Sequence, residues 1–184
     1  MLLGIAAVLF SGDMARAGQQ ILAAELLIVR DDIRRLATGT HLPPLHKQGL
    51  SDRIDGALGL LPWLLREAGD DVSGPVTPAQ LDRLITRHPL DMTAFSGAVK
   101  PPQKREARAV HDTYCASCHD DAGQGDEDLA LPARDLFAMA KEAPPQVFLA
   151  RLINGVKGDE TLLFTNPLSG DQLRALWRFY GDGR

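Results

Sequence analysis

The residues of this sequence whose types and spacing could do chemistry are Cys115-Ala116-Ser117-Cys118-His119. Cys-x-x-Cys-His is the attachment spacing of a c-type haem. Two thiols bracket one edge of the macrocycle and become thioethers to its vinyl groups, while the next imidazole turns under the face as the proximal iron ligand. Structural zinc asks for about four ligands, usually two such pairs, and Cys115 and Cys118 are the only cysteines among 184 residues. A thioredoxin-like dithiol is expected beside a βαβ pattern, and no alternating strand pattern flanks this pair. A disulfide between the two would leave His119 without a role. The expected cofactor is therefore one covalent haem c, anchored at Cys115 and Cys118 with His119 on the iron.

The elements that must position this motif are helical. A helix from Gln103 to Tyr114 runs into it, with Ala107, Val110, His111 and Tyr114 on one face. Downstream, Pro145 to Val156 reads as a helix through Val147, Phe148, Leu149, Leu152 and Ile153, ended by Asn154-Gly155. The last helix begins at Ser169 and carries Leu173, Leu176, Trp177, Phe179 and Tyr180. No strand is required anywhere, so the fold class is all-α.

Upstream, Leu22, Leu26, Val29, Ile33 and Leu36 recur at steps of four and three, which predicts a helix from Gln19 to Ala37 with one narrow apolar seam. His41, Pro43, Pro44 and His46 mark a connection where the prolines stop any helix. Ser51 reads as the N-cap of a second helix through Ile54, Leu58, Leu61 and Leu65, which Pro62 would kink or split. Thr77, Pro78 and Gln80 read as a capping box that opens a short helix closed by His88-Pro89. Residues 90–100 carry no clear element, and Pro101-Pro102 marks the boundary between a helical N-terminal unit, 18–100, and a haem domain, 101–184.

Met1 to Ala17 reads as an export signal: Leu2 to Phe10 form an apolar core and Ala15-Arg16-Ala17 has the small-x-small cleavage pattern, although the basic n-region is missing. Haem c is attached outside the cytoplasm, so the expected location is the periplasm. No other stretch reaches the ~20 apolar residues that a bilayer needs, and no transmembrane span is expected. The formal charge of -4 is too small to imply nucleic-acid binding. The acidic run Asp120, Asp121, Asp126, Glu127 and Asp128 reads as a solvated loop.

From about residue 103 to the end, the order and spacing resemble a class I cytochrome c domain. The resemblance rests on a helix leading into CASCH, a loop with Leu131-Pro132, a helix ending in INGV, and a terminal helix opened by LSGDQL. It implies that the first and last helices cross at Ala107, where the family usually has glycine, with Phe179 as the matching aromatic. It also implies that Pro132 presents its carbonyl to the proximal histidine. The family's methionine ligand is absent: the stretch Gly158 to Pro167 has none, and Thr161 falls at its place.

Three accounts of the sixth iron position stay open. The iron is five-coordinate under Leu162, Leu163 and Phe164; or the N-terminal unit supplies His41, His46, His88 or Met92; or Met139 swings in, with His111 and Lys157 as remaining candidates. Each has an ordinary reading too: Met139 as core filler, His111 as a satisfied core histidine, His88 beside terminal carbonyls. The functional expectation is one-electron transfer with a redox partner protein, the N-terminal unit serving as a possible dock and the chain not itself an enzyme. The competing expectation is a five-coordinate haem protein that binds or senses a small ligand, or has peroxidase-like activity.

Overall fold

Helix α1, Leu3–Thr38, is the element on which both halves of the chain rest. In this computed structural model the backbone is described over residues 3–70, 74–120, 128–155 and 166–183, and side chains over the same ranges from residue 17. One face of α1, with Leu22, Leu26 and Val29, packs on Leu61, Leu65 and Leu81. A second face, with Ala24, Leu27 and Ile28, packs on Leu149, Ala150, Ile153 and Leu173. The single narrow seam expected from the sequence is thus half of the pattern. A helix covered on two sides needs an apolar stripe wider than a two-position seam, and Ala24, Leu27 and Ile28 supply the rest. The backbone of α1 continues through Ala15-Arg16-Ala17.

Helix α2, Pro44–Glu67, starts seven positions before the expected cap at Ser51, which lies inside it. Proline opens a helix readily because its missing N–H would have no partner in the first turn. Pro43-Pro44 therefore starts this helix instead of stopping it. Pro62 does not split α2, which continues to Glu67. In α3, Pro78–Arg87, the expected cap forms: Gln80 Oε1 accepts the Thr77 backbone N–H at 2.7 Å. A 3-10 turn, Thr93–Phe95, follows where no element was expected, and its Phe95 is buried with Leu149 and Leu173.

Helix α4, Pro101–Tyr114, leads into a single turn, α5, Ala116–His119. Helix α6, Leu136–Glu142, follows the intervening loop; then α7, Pro145–Asn154, ends at Gly155, whose φ of 61° suits glycine. Helix α8, Gly170–Asp182, is capped by Ser169, whose hydroxyl accepts the Gln172 N–H at 3.3 Å. The fold is all-α, and no strand occurs among the described residues.

A core of Ala107, Phe137, Phe148, Ala175, Leu176 and Tyr180 joins α4, α6, α7 and α8. The core between α1 and α7 crosses the sequence boundary placed at residue 100. Among the described residues no helix is long and apolar enough to cross a membrane.

Candidate functional site

Helix α4 delivers the motif, and the motif continues it by one turn. The Cys115 N–H donates to the His111 carbonyl at 2.9 Å, and the N–H groups of Cys118 and His119 donate to the Cys115 carbonyl at 3.2 and 3.0 Å. Residues three and four apart share a helix face, so this turn sets Cys115, Cys118 and His119 on one side. Both cysteines are free thiols; Cys115 is half-buried and Cys118 exposed. Cys115 borders the core that α4, α6 and α8 build.

His119 Nδ1 donates to the Arg134 carbonyl at 2.6 Å. A carbonyl can only accept, so Nδ1 carries the proton and Nε2 keeps its lone pair for an electrophile or metal. The resemblance led to Pro132 for this carbonyl; it belongs to Arg134, two residues on. The reason lies in α6: the Asp135 side chain accepts the Ala138 N–H at 2.7 Å and its carbonyl takes the Met139 N–H at 2.9 Å. Asp135 is already committed to the helix, which leaves the Arg134 carbonyl as the last one free of it.

On the other side of the motif, His111 is 4% exposed and Tyr180 fully buried. His111 Nδ1 and the Tyr180 hydroxyl are 2.9 Å apart, and His111 Nε2 lies 3.1 Å from Asp120 Oδ1. The Tyr180 hydroxyl also lies near enough to the Cys115 thiol for each to shift the other's titration. Burial pushes the Cys115 thiol up, against the opposing effect of Tyr180. Burial, and next the Cys115 thiol, hold the Tyr180 phenol well above its ordinary value. His111 is thus the satisfied core histidine that its position on α4 suggested. The buried aromatic of the α4–α8 contact is Tyr180; Phe179 lies half-buried at the rim with the Arg108 guanidinium 5.6 Å from its ring centre. One residue along a helix is a rotation of about 100°, enough to exchange the core face for the rim.

The other sequence candidates scatter. His41 is exposed between α1 and α2. His46 is half-buried, its Nε2 buried with no hydrogen-bond partner among the described residues. His88 Nε2 lies 2.6 Å from Asp70 Oδ2. Met92 packs against the α1–α7 core. Met139 is buried on α6 in the core that Cys115 borders. Lys157, Thr161, the Leu162-Leu163-Phe164 cap and the acidic residues Asp121, Asp126 and Glu127 lie outside the described residues.

Large apolar side chains are exposed on the elements next to the motif. Tyr114 is 68% exposed beside Cys115, and Leu129 and Leu131 are 51% and 45% exposed on the loop that ends at Arg134. Leu45, 43% exposed, lies one turn before Gly49 of α2, and Gly49 sits against the backbone of Ala130 in the same loop. The remaining exposed large hydrophobic among the described residues is Trp63 of α2. A cavity of about 360 Å³ between α1, α7 and α8 includes none of the motif residues in its lining.

Sequence reasoning missed Arg134, Tyr180 and Asp120 as partners of the motif. It also missed a buried charge cluster, in which Arg151 of α7 lies 2.9 Å from Asp31 and 2.7 Å from Asp32 of α1. Two adjacent aspartates between Val29 and Ile33 were the available signal. Comparison with protein-family models, curated proteins and solved structures finds no match to this chain.

Proposed function

We propose that this chain is an exported, periplasmic monohaem cytochrome of class I type that transfers single electrons, as a carrier or as the electron-transfer subunit of a larger oxidoreductase. The observation that carries this reading is the 2.6 Å bond from His119 Nδ1 to the Arg134 carbonyl, within one helical turn of two free thiols. That bond selects the tautomer with an available Nε2 and holds the ring in one orientation, as a histidine ligand requires. The donor set fits a c-type haem: two thiols for the vinyl groups and an imidazole for the iron.

Bound at this site, the haem supplies a one-electron Fe(II)/Fe(III) couple whose potential follows axial ligand, burial and hydrogen bonding. The chain's part is to orient. His119 keeps its Nδ1 proton on Arg134, Tyr180 steadies the Cys115 sulfur, and Leu129, Leu131, Tyr114 and Leu45 offer apolar surface that keeps water from a macrocycle's faces. The partner is a redox protein, which the N-terminal helices help to dock.

The lack of a methionine between Gly158 and Pro167 favours a second reading, an open iron that binds a small ligand. One set of spectra tests both. Pyridine haemochrome of the acid-acetone-washed protein is expected to report one covalent haem. Oxidised and reduced spectra are expected to be low-spin and indifferent to carbon monoxide. A high-spin spectrum that shifts with carbon monoxide replaces electron transfer with ligand binding, and a washed protein without haem overturns both.

A further inference from the structure

The face of α2 that meets the loop of the motif carries His46, Gly49 and Arg53 at helical steps of three and four. Gly49 fixes the contact: its Cα rests on the Ala130 backbone so closely that no side chain fits between them. One turn further, Arg53 reaches the charge cluster at the junction of α1 and α7. There Asp32, 2% exposed in its side chain, receives three guanidiniums: Arg53 at 2.5 Å, Arg151 at 2.7 Å and Arg35 at 3.5 Å. Asp31 takes Arg151 and, at 2.6 Å, Arg34.

One carboxylate does not satisfy three guanidiniums, each with a fork of five N–H donors. Arg151 is held by both aspartates through one terminal nitrogen. The Nε of Arg53 is buried with no hydrogen-bond partner among the described residues. Arg35 also feels the charge of Arg134, the residue whose carbonyl holds His119, while the Arg134 side chain is neutralised by Glu142 at 2.7 Å. Burial, and then these neighbouring cations, hold Arg35 below its ordinary pKa; burial chiefly does so for Arg53, with Arg151 adding to it. The remaining carboxylate nearby, Glu25, is bonded by Asn154 at 2.8 Å and also favours the charged form of Arg53, so that four guanidiniums, Arg34, Arg35, Arg53 and Arg151, meet three carboxylates. The cluster therefore presents under-compensated guanidinium donors beside the loop that carries the His119 contact, and such donors match a carboxylate in planar, two-pronged geometry.

We propose that Arg53 and Arg35, brought by the N-terminal helices, hold the propionate carboxylates of the haem anchored at Cys115 and Cys118. The thioethers fix the vinyl edge of the macrocycle at α5, and the propionates leave from the edge opposite. Arg53 and Arg35 belong to α2 and α1, upstream of the motif's own domain. The N-terminal unit is thus part of the cofactor site as well as a support for it. His46, on the same face of α2, has its Nε2 buried with no hydrogen-bond partner among the described residues. This assignment rests on the haem c reading above.

The test uses full-length holoprotein whose covalent haem has first been established by pyridine haemochrome. Its reduction potential is then followed with pH by film voltammetry in wild type, Arg53→Gln, Arg35→Gln and Arg53→Lys, with Arg66→Gln, an exposed arginine of α2, as the control. A guanidinium beside a carboxylate favours its ionised form, so its loss is expected to raise the propionate titration by about one pH unit. Arg53→Lys keeps the charge and is expected to restore part of the shift, while Arg66→Gln leaves it in place. Arg35→Gln carries the test if Arg53→Gln does not fold, because Asp32 then still holds Arg53 and Arg151. Covalent haem whose titration is unmoved in both glutamine variants overturns the propionate assignment and leaves the haem c reading standing. A wild-type protein without covalent haem overturns both.

Discussion

His119, Tyr180 and Asp31 are single side chains whose environments decide what they do. His119 has one nitrogen committed to a carbonyl, which fixes its tautomer and leaves the lone pair on Nε2. Tyr180 and His111 form a buried pair, 2.9 Å apart, that His111 extends to the part-exposed Asp120. Tyr180→Phe leaves His111 Nδ1 without its partner in a buried site, and a loss of about 1–3 kcal/mol is expected in urea unfolding. Burial opposes the charge of Asp31, but Arg151 and Arg34 hold its carboxyl below the usual carboxylate range. A lowered folded-state pKa stabilises above the unfolded value of about 3.9 and is lost as pH falls through the folded value. Asp31→Asn is therefore expected to flatten the fall of the urea midpoint below about pH 4. An unchanged acid slope would deny Asp31 this role. The motif and its place at the end of a helix were legible from the local sequence. The partners of its histidine and first cysteine were not, because they lie 15 and 65 positions away and depend on which helices meet.

At the scale of the element, α2 offers a clean comparison between glycines in one helix. Gly56 has open space where a side chain would go, whereas Gly49 faces the Ala130 backbone. Alanine is better than glycine in a helix interior by about 1 kcal/mol, so Gly56→Ala is expected to stabilise by about that amount. Gly49→Ala must push the loop away and is expected to destabilise by about 1–3 kcal/mol instead. Thermal unfolding of the two variants checks both signs, and the same sign for both would deny the contact between α2 and the loop. The helices themselves were mostly legible, since periodicity and capping are local: Thr77 with Gln80 caps α3 as the sequence suggests, and the last helix opens at Ser169. The start of α2 was misplaced because Pro43-Pro44 is compatible both with stopping a helix and with opening one. Only its packing against α1 and Ala130 decides between them.

In the whole molecule, the cores meet through α1. Leu149, Ala150 and Ile153 of α7 are buried against Ala24, Leu27 and Ile28, and Arg151 ties the same pair of helices. A fragment 101–184 would expose that apolar face together with an unpaired Arg151, and it is expected to lose cooperative unfolding. The full chain is expected to unfold in one transition. Trp63 on α2 and Trp177 on α8 report opposite sides of the junction. Coincident urea midpoints in Trp63→Phe and Trp177→Phe proteins are the expected outcome, and two separated midpoints would show that the units fold independently. Removing Arg151 leaves Asp31 and Asp32 buried with less compensation, so Arg151→Met is expected to cost on the order of 3 kcal/mol by urea unfolding.

The sequence by itself determined the all-α class, the positions of most helices and the Cys-x-x-Cys-His turn, because each depends on residues within a few positions of one another. Tertiary structure decided that α1 is covered on two faces, that Arg134 and not Pro132 takes the His119 proton's hydrogen bond, that Tyr180 and not Phe179 is the buried aromatic, and that Arg35 and Arg53 gather near the loop of the motif. These are matters of partner choice for buried polar groups and of helix rotation by one residue. Such choices are settled only when distant segments pack and each buried donor or acceptor must find, or fail to find, a partner.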